Sequence, residues 1–222
     1  MEEGKWRACS DPEPMLKYLE SIGAASERKL RLFSVACCRR LLSKVPVRPR
    51  SELAVDVAER YADGFASDVE LTEVCLYANN TAEHACRDVA ESEPGIVRAD
   101  CTALNAAWAI AEYGARPPDH NGLSSVFNAK VQGEQSTQCQ ALRDIFGNPV
   151  RPITFSSEWR TDTATAVARQ MYGSREFSAM PILADALQAA GCDNTDILSH
   201  CRDTSATHVR GCWVVNLVLG LS

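Results

Sequence analysis

Apolar side chains in this chain recur at three- and four-residue spacing, and the runs are bounded by Ser, Thr or Asp at their starts and by Gly or Pro at their ends. This punctuation constrains the fold more than any other feature. A 3.6-residue period buries one face of a helix and does not suit the strict alternation of a half-buried strand. Strand signals are scarce, so the chain reads as mostly α: a multi-helix bundle with a second, smaller helical C-terminal module.

The expected helices follow from that pattern. Ser10, Asp11 and Pro12 open one that runs through Met15, Leu16 and Leu19 and stops at Gly23. Ser26 caps the next, to about Leu42, whose stripes Leu30, Phe33, Cys37, Leu41 and Val35, Cys38, Leu42 mark a central helix with at least two neighbours. Ser51 caps a third to Gly64, a fourth starts at Asp68, and another spans Ile96 to Tyr113. Beyond residue 138, one helix runs through Leu142, Ile145 and Phe146 to the stop Gly147-Asn148-Pro149. Ser156 or Ser157 caps one that continues to Tyr172, Pro181 starts one ending at Gly191, Thr195 and Asp196 open one through Cys201, and His208 leads into the last. Residues 114–138 are rich in Pro, Gly, Ser, Asn and Gln and form a linker or long loop, which places His120 in solvent. The expected division is 1–113, 114–138 and 139–222.

Charge is unevenly spread. The net charge is −6, which argues against a surface built throughout for nucleic acid. Residues 26–50 nevertheless hold eight basic side chains against one acid, and residues 51–100 hold twelve acids against three arginines. Internal pairing of the two blocks is the simpler reading. The alternative is a surface of Arg28, Arg39, Arg40, Lys44, Arg48 and Arg50 for an acidic protein, or less readily for nucleic acid. The opening MEEGKWRACSDPEP has no apolar core of a secretory signal, and the longest C-terminal apolar run, WVVNLVLGL, is interrupted by Asn216, so the expectation is a cytoplasmic protein with no membrane span.

Ten cysteines are many for this length, and most lie inside apolar helical patterns such as VACC and EVCLYA, where a reduced thiol acts as a small buried hydrophobe. The exception is a C-terminal cluster of zinc-type donors: Cys192, His200, Cys201, His208 and Cys212. His208 and Cys212, four apart, would share a helical face, and Cys201 or His200 would close on them across a short loop, so that three or four could surround a tetrahedral zinc. No cofactor is otherwise expected. The same residues could make a nucleophilic pair, Cys212 with His208 or His200 and with Asp185 or Asp196 as orienting acid, although nothing in the sequence supplies an oxyanion hole. Arg143 is expected to pair with a nearby acid and Asp144 to face solvent, whereas Asp185, among apolar neighbours, needs Arg202 or Arg210. His84 reads as a surface or half-buried histidine and not as a ligand. Nucleotide, metalloprotease, serine-hydrolase and calcium-loop signatures are absent.

The strings KLRLFSVACCRR, CQALRDIFGNPVRP, MPILADALQAAGCDNTDILSHCR and HVRGCWVVNLVLG are long and ordered. Over residues 26–65 and 139–220 the chain resembles a bacterial family of uncharacterised helical proteins. That resemblance implies an N-terminal helical stretch followed by a helical C-terminal module, and it carries no catalytic or binding residue to transfer. The leading expectation is a non-enzymatic interaction or scaffolding protein; the alternatives are a zinc-binding module and, behind it, a Cys/His thiol hydrolase.

Overall fold

The computed structural model describes residues 1–42, 49–74 and 134–221; these are mostly helical and contain no strand. Lys44, Arg48, His84, the expected helix over Ile96 to Tyr113 and residues 114–133 of the expected linker lie outside the described residues, as does the side chain of Arg50, whereas residues 134–138 of that linker are helical. The helices are α1 (Glu3–Ala8), α2 (Pro12–Ser21), α3 (Glu27–Leu42), α4 (Pro49–Ala62), α5 (Glu134–Phe146), α6 (Asp162–Ser174), α7 (Met180–Ala189), α8 (Thr195–Arg202) and α9 (Trp213–Leu219), with a 3-10 turn at Ser157–Trp159. Residues 68–74 are also helical.

Local chemistry explains most boundaries. The Asp11 side chain accepts the Glu13 N–H at the start of α2, and Ser26 Oγ accepts the Lys29 N–H at the start of α3. The expected single helix from Ser156 to Tyr172 is instead broken at Arg160. Ser156 caps only the 3-10 turn, and Thr161 Oγ1 accepts the Ala164 N–H to begin α6 afresh. Arg160 then reaches the last turn of α9, its Nε donating to the Leu217 carbonyl at 3.1 Å. α1 was not anticipated, since six residues with one buried side chain, Trp6, carry no repeat to detect.

The chain forms two compact units, Met1–Ala24 with Ser136–Ser222, and Ala25–Gln135. In the second, α3 packs on α4 around Val35, Cys38, Val55, Val57, Ala58 and Leu71. Every residue from Leu30 to Val35 is buried, as a central helix requires. The basic and acidic blocks meet here. Arg28 pairs with Asp63 at 2.9 Å, Arg39 pairs with Asp56 at 2.6 Å and Glu59 at 3.0 Å, and Arg40 is exposed.

In the first unit α6, α7, α8 and α9 enclose a core that includes Ala168, Met171, Leu183, Leu187, Ile197 and Val214. Fully burying a side chain of Leu or Met size contributes about 1.5–3 kcal/mol. α8 has eight residues and α9 has seven, far below the length at which an isolated helix is stable, so both depend on what they pack against. The sequence pattern grouped residues 1–24 with the helices that follow them. In the structure they lie with the C-terminal segment, where the Trp6 indole N–H donates to the Gly147 carbonyl at 2.9 Å.

Candidate metal centre

Asp144 sits on the last turn of α5, His200 on the last turn of α8, His208 in the loop that follows, and Cys212 immediately before α9. Their side chains converge. His208 Nδ1 lies 2.8 Å and His200 Nε2 3.3 Å from Asp144 Oδ1, while Cys212 Sγ lies 3.2 Å from His200 Nε2 and 4.0 Å from His208 Nδ1. All four donor atoms fall within 4.8 Å of one another, and the group could hold a metal ion. The second carboxylate oxygen, Oδ2, accepts the Val209 backbone N–H at 2.8 Å, which leaves Oδ1 as the oxygen turned to the cluster.

The site is shielded from water. The side chains of Asp144, His208 and His200 are 3%, 6% and 18% exposed, and Cys212 is fully buried. The imidazoles meet edge to face with centroids 4.8 Å apart, and the His200 ring lies 5.1 Å from the Trp213 ring. Burial by itself would favour a neutral Asp144, but the hydrogen bonds and charge of His200 and His208 hold its carboxyl below the usual range. Cys212 goes the other way: burial first, then the Asp144 carboxylate, push its thiol well above the ordinary value, outweighing the opposite pull of the Val215 and Val214 amides. A bound cation would reverse that balance, since it is the ion that stabilises a thiolate beside a carboxylate.

The expected donors divide. His200, His208 and Cys212 come together, whereas Cys192 and Cys201 belong to the hydrophobic core and are not in the converging set. Consecutive residues on a helix point about 100° apart, so turning His200 toward the site turns Cys201 away from it. Burial pushes the Cys201 thiol up to about 12, in keeping with a core cysteine. The expected helical face shared by His208 and Cys212 is not formed, because α9 starts only at Trp213; a turn closed by the Cys212 N–H on the Val209 carbonyl, 2.9 Å, brings the two together instead.

The donor that sequence reasoning missed is Asp144, which was expected in solvent. Its signal was its position three residues after the buried Ala141 and next to the buried Ile145, on the edge of the apolar face of α5. Arg143 was expected to pair with an acid; it donates from Nε to the Trp6 carbonyl at 3.2 Å, and from a terminal guanidinium nitrogen to the Cys9 carbonyl. Asp185 does pair with Arg202, at 3.1 Å, but on the surface, with its side chain 76% exposed. Neither it nor Asp196, which pairs with Arg151, reaches the histidines.

Fold and site together define a mostly α protein carrying a buried Asp/His/His/Cys cluster able to hold a metal ion. Comparison of the chain with protein-family models, with curated proteins and with solved structures finds no match. No helix among the described residues is long and apolar enough to cross a membrane.

Proposed function

We propose that Asp144, His200, His208 and Cys212 bind one zinc ion as a closed structural centre, and that the protein is a non-enzymatic interaction or scaffolding protein whose C-terminal module the ion fastens. One observation carries this reading. In each imidazole the same nitrogen faces both the carboxylate and the sulfur: Nε2 of His200 lies 3.3 Å from Asp144 Oδ1 and 3.2 Å from Cys212 Sγ, and Nδ1 of His208 lies 2.8 and 4.0 Å from the same two atoms. A nucleophilic triad needs the reverse, with one ring nitrogen on the thiol and the other on the orienting acid. Donors aimed at a common point are what an ion requires. Zinc bonds of roughly 2.0–2.3 Å set tetrahedral donors about 3.2–3.6 Å apart, and the four distances bracket that range.

Donor chemistry selects the ion. A thiol and two imidazoles suit zinc over magnesium or calcium, which take oxygen ligands. Four protein donors leave no open position for substrate, which favours a structural role over a catalytic one. The ion's route in is the cavity of about 410 Å³ that His208 lines together with Phe177, Ser178 and Thr204. A thiol hydrolase is the weaker reading, because the Cys212 sulfur is buried and its thiol is held neutral.

Elemental analysis of protein purified without chelator or affinity-tag metal tests the centre. One zinc per chain, lost in Cys212→Ser, is the expected result; a metal-free wild type that also takes up none on titration rejects it. For partner binding we propose the part of the basic set beyond the internally paired Arg28 and Arg39, ending at Arg48 and Arg50, with an acidic protein as ligand. Reversing both to Glu is expected to abolish salt-sensitive capture of an acidic polypeptide while the far-ultraviolet circular dichroism spectrum is retained, and unchanged capture removes the patch as the binding surface.

A further inference from the structure

The last turn of α5, which carries Asp144, is held from two sides. Three residues beyond that ligand, Gly147 turns the chain with φ +65°, and a Cβ added there would meet the Trp213 ring at 3.2 Å. Trp213 directly follows Cys212 and lies beside His200. On the carbonyl side of the same glycine, the Trp6 indole N–H donates at 2.9 Å. One turn is thus gripped between two indoles, of which Trp213 follows Cys212 in sequence and meets the His200 ring, while Trp6 reaches only the turn itself.

The rest of the grip also comes from residues 3–9. Arg143, the neighbour of Asp144, donates to the carbonyls of Trp6 and Cys9, and Asn148 Nδ2 donates to Glu3 Oε1 at 2.9 Å. Trp6 is 1% exposed and its ring lies 6.4 Å from that of Tyr18 on α2. α1 has six residues and no helical stability of its own, so it holds its place by these contacts. A carboxylate donor at a helix end must be placed to about half an ångström, and losing a group that fixes a ligand's position typically costs about ten- to a hundredfold in metal affinity.

Resting on the zinc reading above, we infer that the N-terminal segment α1–α2 is a clasp for the metal centre, with Trp6 and Arg143 as positioning residues for Asp144. Binding linkage is reciprocal: if the docked segment raises zinc affinity, zinc must hold the segment down by the same factor. The N-terminus would then be released when the ion is lost and fastened when it is gained.

The test uses the full chain. Zinc affinity is measured by chelator competition for wild type, Trp6→Phe and Lys17→Ala, the visible spectrum of the cobalt-substituted forms is recorded alongside that of Asp144→Asn, and hydrogen exchange of the α1 and α2 amides is followed with and without zinc. Trp6→Phe keeps an aromatic ring while removing the indole donor and part of the buried volume; it should weaken zinc about ten- to a hundredfold and move the cobalt bands toward those of Asp144→Asn. Lys17→Ala, which breaks the exposed pair with Glu13, should change neither. Zinc should slow exchange of α1 and α2 in the wild type. A zinc-binding wild type with unaltered affinity in Trp6→Phe and zinc-independent exchange overturns the clasp and leaves the metal centre standing. A wild type that binds no zinc overturns both. Should Trp6→Phe not fold, wild-type exchange decides alone: slowing supports the clasp, and no change rejects it.

Discussion

Cys212 shows how little a residue's type says about its chemistry. Its sulfur is adjacent to two imidazoles, yet burial and the Asp144 carboxylate keep the thiol protonated, so it is a poor nucleophile and becomes a thiolate only where a cation compensates. Two outcomes follow. Cobalt-substituted wild type should show tetrahedral d–d bands with a thiolate-to-metal charge-transfer band, and Cys212→Ser should lose the latter; a spectrum unaltered by that substitution removes Cys212 from the ligand set. In alkylation of the folded, metal-free protein, Cys9 should react first among the described cysteines, because it alone is not buried. A Cys212 that outpaces it would restore the hydrolase reading.

Helix ends decide where the donors stand. Thr161 starts α6 after the break at Arg160, and removing its hydroxyl in Thr161→Ala should destabilise the protein by about 1 kcal/mol, read as a lower urea midpoint at unchanged slope. Gly147→Ala is expected to be worse than its size suggests. A left-handed conformation costs a non-glycine residue roughly 1–2 kcal/mol, and the new methyl would press on Trp213 beside Cys212. Both stability and zinc affinity should therefore fall in Gly147→Ala, whereas Thr161→Ala, away from the cluster, should lower stability alone. The helices themselves were largely legible in the sequence, since caps and stops act through bonds a few residues long. The break at Arg160 was not, because Ser156 and Thr161 are both good caps and the pattern does not say which one begins the helix.

For the whole molecule, a centre that joins the ends of α5, α8 and α9 should stabilise the unit that contains them. With free zinc at a hundredfold its dissociation constant the gain is about 2.7 kcal/mol. Chelation should lower that unit's unfolding transition and speed amide exchange in α8 and α9, and leave exchange in α3 and α4 unchanged; equal effects on α3 and α4 would show that the ion acts elsewhere. The charge blocks belong to the same scale. Their pairing was readable from opposite signs near in sequence, and Arg28 with Asp63 and Arg39 with Asp56 and Glu59 realise it.

By itself the sequence determined the helical class and most helix starts and stops, and it offered three of the four converging donors among five candidates, because each of these rests on spacing or on residue type within some twenty positions. Tertiary structure alone decided the rest. Asp144 is 56 residues before His200, and only the packing of the first unit brings its oxygen to the histidines. Cys201 was excluded because a helix cannot turn two adjacent side chains to one point. Trp6, 141 residues from Gly147, meets that turn through an indole hydrogen bond that no local pattern encodes. Contacts across such distances depend on how whole elements dock, and it is the docking that places the donors.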